Sequence, residues 1–124
     1  MKKILVMMAF VAASATYSFA TSPAVGPIFY KLNNNTVFNG LMKYLDADDQ
    51  QIESLRYVFK LTEYKMKYAE RKNDEKSMEK SLYFNLGNAK YILSHTQYKK
   101  YLTMLNLSLY DENSIEAITA ENNR

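Results

Sequence analysis

The sequence predicts an all-α protein, a small bundle or hairpin of three long helices with a shorter N-terminal one, built without disulfides. Three observations carry that prediction. Apolar residues recur at three- and four-residue spacing along most of the chain, and no alternating apolar–polar stretch is long enough for a strand. Helix breakers are scarce: 124 residues contain three glycines and two prolines, and both prolines stand near the N-terminus. Cysteine is absent, so stability must come from packing or association.

The first twenty residues stand apart from that core. Lys2 and Lys3 precede an apolar run from Ile4 to Ala13, and Ser18-Phe19-Ala20 closes it with small residues at its first and third places. This is the form of a secretory signal, too short to span a bilayer well and followed by no stop-transfer segment. The expected destination is the periplasm. Without Lys2 and Lys3 the sixteen basic residues become fourteen against thirteen acids, a net charge of +1 rather than +3. So small a charge argues against a nucleic-acid partner.

Residues 21–35 hold Pro23, Gly26 and Pro27 and read as an extended spacer. The polar run Asn33-Asn34-Asn35-Thr36 can cap a helix from Thr36 to Tyr44, in which Val37, Phe38, Leu41, Met42 and Leu45 mark the apolar face. A second helix is expected from Ala47 to about Lys72, with Asp46 as its cap and Asp48 and Asp49 at its positive dipole end. After a turn at Asn73-Asp74, a third runs from Glu75 to Leu93, with Met78, Leu82, Leu86, Ala89 and Leu93 on one face. A fourth runs from His95 to about Leu109 and buries Tyr98, Leu102, Leu105 and Leu109. Residues 110–124 are polar and read as a frayed, disordered tail, in which Ile115 and Ile118 could make one weak turn.

Neither Gly nor Pro marks the break between the last two helices. Ser94 and Gln97, three apart, form a capping box there: the serine oxygen takes an amide of the new helix, and the glutamine reaches back to the serine amide. Leu93 before the cap and Tyr98 after it can close as a hydrophobic staple. Leu45-Asp46 followed by Asp49 repeats the logic at the start of the second helix. Leu93-Ser94-His95-Thr96-Gln97 matches the Leu-Thr-x-x-Gln motif with Ser for Thr, and Leu45, Asp46 and Asp49 form a more divergent copy. On these residues the chain, over roughly 41–109, resembles the Spy/CpxP family of periplasmic helical proteins. That resemblance implies a cradle-shaped helical homodimer and the work of a stress-linked chaperone or a sensor adaptor.

The second helix carries two apolar arcs. At about 100° per residue, Ile52, Leu55, Phe59, Thr62, Met66 and Ala69 share one, with Val58 at its margin, while Tyr57, Leu61, Tyr64 and Tyr68 share another roughly opposite. On the third helix Phe84 and Tyr91 likewise lie off the main face, and on the fourth so do Met104 and Leu107. One reading covers the tyrosine arc internally with other helices. The other makes Tyr57, Leu61, Tyr64, Tyr68, Phe84 and Tyr91 a contact surface, either a homodimer seam or a face for partly unfolded proteins or a membrane sensor domain. Lys65, Lys67, Arg71 and Lys72 beside it could attract acidic client segments, or serve only as a solvated face with pairs such as Glu63–Lys67.

Nothing in the sequence points to catalysis. His95 is the one histidine, and it follows a cap; with no cysteine there is no transition-metal pattern. Asp46, Asp48 and Asp49 lack the glycine and distal glutamate of a calcium loop. A binding protein with no cofactor, no metal and no catalytic residues is therefore expected, its alternatives being an adaptor for one folded partner and a structural envelope protein.

Overall fold

The computed structural model of the chain describes residues 25–111 and 113–122. The expected signal peptide and the first residues of the expected spacer lie outside them. The described chain is helical throughout: α1 (Val25–Leu32), α2 (Asn35–Leu45), α3 (Asp49–Arg71), α4 (Glu75–Ile92), α5 (His95–Tyr110) and α6 (Asn113–Asn122). The all-α class and the four expected helices are present, with two helices more.

The extra helices correct two expectations. Where an extended spacer was expected, α1 forms, because Val25, Ile28, Phe29 and Leu32 recur at helical spacing and all four are buried. Pro27 stands in the first turn, where its missing amide would have had no helical partner. Where a disordered tail was expected, α6 packs extensively on α2 and also touches α5, burying Ile115 and Thr119. The Thr119 hydroxyl donates to the Ile115 carbonyl (2.7 Å), so the helix buries that polar group satisfied.

The turns are set by local chemistry. Asn34 caps α2, its side chain accepting from the Thr36 and Val37 amides (3.0 and 3.3 Å). At the end of α2 the Asp46 amide donates to Lys43 O and the Ala47 amide to Met42 O, with Asp46 at φ 59°. At the end of α3 the Asn73 amide donates to Glu70 O and the Asp74 amide to Ala69 O, with Asn73 at φ 54°. Both are Schellman closures with Asp or Asn in the left-handed position usually held by glycine. Asp74 then caps α4, accepting from Lys76, Ser77 and the Ser77 hydroxyl. Those bonds hold its carboxyl below the usual range.

Phe59 is the hub of the core. Its ring meets Phe29 of α1 at 6.3 Å, Phe38 of α2 at 5.4 Å and Tyr101 of α5 at 6.0 Å between centroids. The buried arc of α3 is Leu55, Val58, Phe59, Thr62, Met66 and Ala69, close to the one expected. On α4, Leu82, Leu86 and Ala89 are buried, as is Leu93 just beyond its end, with Met78 packed at the edge. On α5 the expected face is rotated: Tyr101, Met104, Leu105 and Ser108 are buried, whereas Tyr98, Leu102 and Leu109 are only half-buried. The rotation follows from a polar demand. The Tyr101 hydroxyl donates to Asn85 Oδ1 of α4, and Asn85 Nδ2 donates to Thr62 Oγ1 of α3 (3.1 Å). The Thr62 hydroxyl in turn donates to the Val58 carbonyl (2.7 Å). Burial holds the Tyr101 phenol well above its ordinary pKa, so it stays a neutral donor. This chain crosses three helices inside the core and fixes their register.

Candidate functional site

Two sets of residues stand out: the capping boxes at one end of the bundle and the outer face of the α3–α4 hairpin. The Ser94–Gln97 box forms as the sequence predicts. Gln97 N donates to Ser94 Oγ (3.2 Å) and Ser94 N to Gln97 Oε1 (2.8 Å). Leu93 is buried and Tyr98 packs on the same core. The other box lies two residues beyond the expected one. Asp48, not Asp46, caps α3: Gln51 N donates to Asp48 Oδ1 (2.8 Å) and Asp48 N to Gln51 Oε1 (2.9 Å). The reason is the closure of α2. With Leu45 buried as its last residue, Asp46 is used to reverse the chain and Asp49 becomes the first residue of α3. Asp48-x-x-Gln51 is itself a capping signature, so the signal was present in the sequence.

The two boxes meet. Gln51 Nε2 donates to Gln97 Oε1 (2.8 Å), and Gln97 Nε2 donates to Gln51 Oε1 (3.2 Å). Each amide also satisfies a carbonyl at the end of another helix: Gln51 Nε2 reaches Ile92 O of α4 (3.2 Å), and Gln97 Nε2 reaches Leu45 O and Asp46 O at the end of α2 (both 3.1 Å). Each glutamine therefore closes the start of one helix and the end of another, and the pair clasps the two junctions together. Alongside, Lys100 Nζ donates to Tyr44 O and lies over the Tyr44 ring at 4.6 Å. These contacts join helix ends to one another.

The outer hairpin face is different. Tyr57, Tyr64, Tyr68 and Tyr91 are 46%, 67%, 47% and 55% exposed, so the tyrosine arc is not sealed by the other described helices. Leu61 is half-buried, and Phe84 packs at the edge of the core. The hairpin is antiparallel, since Gln51 reaches Ile92, Thr62 meets Asn85, and Lys65 Nζ lies over the Phe84 ring at 4.8 Å. Phe84 and Tyr91 thus extend the face that α3 begins. Met104, also off the expected stripe, is buried, whereas Leu107 is 48% exposed on α5.

The charges of α3 are sorted around this face. On the flank toward α1, Glu63 Oε1 accepts from Asn33 Nδ2 (2.6 Å) and Glu63 Oε2 from Lys67 Nζ (2.9 Å). Partial burial opposes the Glu63 charge, but those bonds and the Lys67 charge prevail and hold its carboxyl below the ordinary value. Next to it the Tyr30 hydroxyl donates to Glu70 Oε1 (2.7 Å), with Lys67 over the Tyr30 ring at 5.1 Å. Burial and the two nearby carboxylates push the Tyr30 phenol well above its usual value. Asn33 Oδ1 is buried beside this cluster without a hydrogen-bond donor among the described residues. On the outer side Arg71 and Lys72 stand 5.9 and 5.6 Å from the Tyr68 ring.

No described helix is long and apolar enough to cross a membrane, and among the described residues no three His, Cys, Asp or Glu side chains are placed to hold a metal ion. His95 sits exposed in the first turn of α5. No family model matches the chain, and neither a characterised protein nor a solved structure does so.

Proposed function

We propose that the chain is an exported, Spy/CpxP-like protein that binds partly unfolded polypeptides on the outer α3–α4 face, without ATP and without covalent chemistry. The observation that supports this reading is the set of four tyrosines about half-exposed or more on one hairpin. Tyrosine offers large contact area at low entropic cost and keeps a polar tip, which suits repeated weak contact. Burial of client apolar surface supplies the affinity, and the charges beside the stripe supply the encounter rate. The test is an aggregation assay with a denatured client and excess purified chain. Aggregation is expected to be suppressed, and Tyr64→Ala with Tyr68→Ala to weaken the effect. Aggregation that proceeds unchanged at excess chain refutes the reading.

One observation favours a second reading, an adaptor for a single folded partner such as a sensor domain. The face is backed by the Thr62–Asn85–Tyr101 chain, which gives it a fixed shape. Crosslinking in whole cells separates the two, with many partners for a holdase and one for an adaptor.

A further inference from the structure

Beyond Tyr57 the fold places the acids of the hairpin away from its tyrosines. Between Tyr57 and Tyr91 the sequence holds eight lysines and arginines and five acids. Glu63 and Glu70 are turned to α1, where Asn33, Lys67 and Tyr30 hold them. Asp74 is engaged in capping α4. By the helical step, Glu75 and Glu79 fall within about 60° of the buried Leu82, on the opposite side of α4 from Phe84 and Tyr91. Lys80 falls about 160° from Leu82, beside those aromatics. Lys60, Lys65, Arg71, Lys72 and Lys80 are all exposed. From Tyr57 onward the aromatic strip is thus bordered on both sides by cations while Glu63, Glu70, Asp74, Glu75 and Glu79 lie off it; the exposed Glu53, one turn before Tyr57, is the carboxylate at its edge.

Resting on the reading of this face as a protein-binding surface, we propose that its occupant is an acidic polypeptide segment. Its aromatic or aliphatic residues lie on Tyr57, Tyr64 and Tyr68, and its carboxylates lie against the flanking lysines and Arg71. A second copy of the chain is the poorer occupant. A two-fold pairing of this face brings one cationic border close to another, which is destabilising. The half-buried Leu61 and Phe84 between the borders give the occupant's apolar side chains somewhere to lie, which a purely charged polymer would leave unfilled.

The experiment uses the purified chain with synthetic copolymers as probes: poly(Glu,Tyr), poly(Glu) and poly(Lys,Tyr), with heparin and anionic phosphatidylglycerol vesicles as further arms. Poly(Glu,Tyr) is expected to bind more tightly than poly(Glu), poly(Lys,Tyr) not to bind, and affinity to fall about tenfold from about 50 to about 300 mM salt. The triple reversal Lys60→Glu, Arg71→Glu, Lys72→Glu is expected to abolish copolymer binding with its helical circular dichroism unchanged, since all three side chains are exposed. Equal binding of poly(Lys,Tyr), or no effect of the reversal, overturns the proposal. So does heparin or vesicle binding as tight as that of poly(Glu,Tyr), or a solution dimer that dissociates on Tyr64→Ala. Suppression of aggregation that ignores client charge refutes the acidic preference while leaving the binding reading intact; loss of both refutes both.

Discussion

Phe59 and Tyr64 stand five residues apart on α3 and have opposite surroundings. Phe59 is 2% exposed and touches rings from three other helices, while Tyr64 is 67% exposed. Both arcs of the helix are rich in large side chains, so hydrophobicity alone does not distinguish them. What separates them is what lies between. Thr62 reaches α4 on one side, and Glu63 and Glu70 reach α1 on the other. These polar contacts fix the rotation of the helix, so one arc is committed to the core and the other to solvent. An inner arc that stabilises and an outer arc that binds are separable properties, and substitutions can test that separation.

The largest contrast is at the two residues themselves. Phe59→Ala empties the centre of the ring cluster and is expected to destabilise the fold by about 3–5 kcal/mol. Tyr64→Ala is expected to change stability by no more than about 0.5 kcal/mol while weakening client binding. Chemical denaturation of both variants checks the pair. Equal losses of stability would mean that the outer arc is covered and the comparison fails.

The polar chain behind the outer arc comes next. Tyr101→Phe leaves Asn85 Oδ1 buried without its donor, with an expected cost of about 1–3 kcal/mol. Removing all three partners together, by Thr62→Val, Asn85→Leu and Tyr101→Phe, should cost less than the sum of the single changes, because no orphaned group remains. If the chain serves specificity more than stability, the triple variant keeps its denaturation midpoint but loses sharp side-chain NMR dispersion.

A smaller effect is expected at the clasp. Gln51→Ala and Gln97→Ala should each cost about 1 kcal/mol, and the double variant less than the sum by roughly 0.5–1 kcal/mol, because each glutamine has the other as a partner. Both lie at the helix ends, away from Tyr64 and Tyr68, so client binding by the folded variants is expected to stay unchanged. Strict additivity would show that the two boxes act separately.

How much of this was legible depended on whether a residue's role was decided locally. The helical periodicity of α3, the capping run at Asn33–Thr36 and the Ser94–Gln97 box are set by neighbours within four residues, and the sequence shows them. The face of α5 was misread because Tyr98 and Tyr101 are equally plausible core residues until Asn85 arrives from α4 to receive one hydroxyl. The expectation for α6 failed for a similar reason. Ile115 and Ile118 are a weak signal alone, and only the docking surface of α2 makes the segment a helix worth burying. The errors at α1 and Asp48 are of another kind. Val25, Ile28, Phe29 and Leu32 have helical spacing, and Asp48-x-x-Gln51 is a capping pattern, but Pro27 is equally a signal of extended chain and Asp46 equally a cap. Exposure of the tyrosines required the assembled fold, since a central α3 would have hidden them.

The weakest test addresses the flank that joins the two arcs. The Glu63 carboxyl lies below the ordinary glutamate value in the folded chain, held there against its partial burial by Asn33 and Lys67. A group depressed by folding contributes stability above its unfolded pKa and loses it as pH falls through the folded one. Acidification from about pH 5 to about pH 3 should therefore loosen the contact of α1 with α3. Glu63→Gln keeps an acceptor for Asn33 but removes the charge, so it should flatten that part of the pH–stability curve and cost no more than about 1 kcal/mol at neutral pH. Amide exchange in α1 followed across the titration distinguishes the outcomes. Protection that falls in the parent chain but not in the variant places the loss at Glu63, whereas parallel curves assign it to other carboxylates and leave the orientation of α3 to its apolar arc alone.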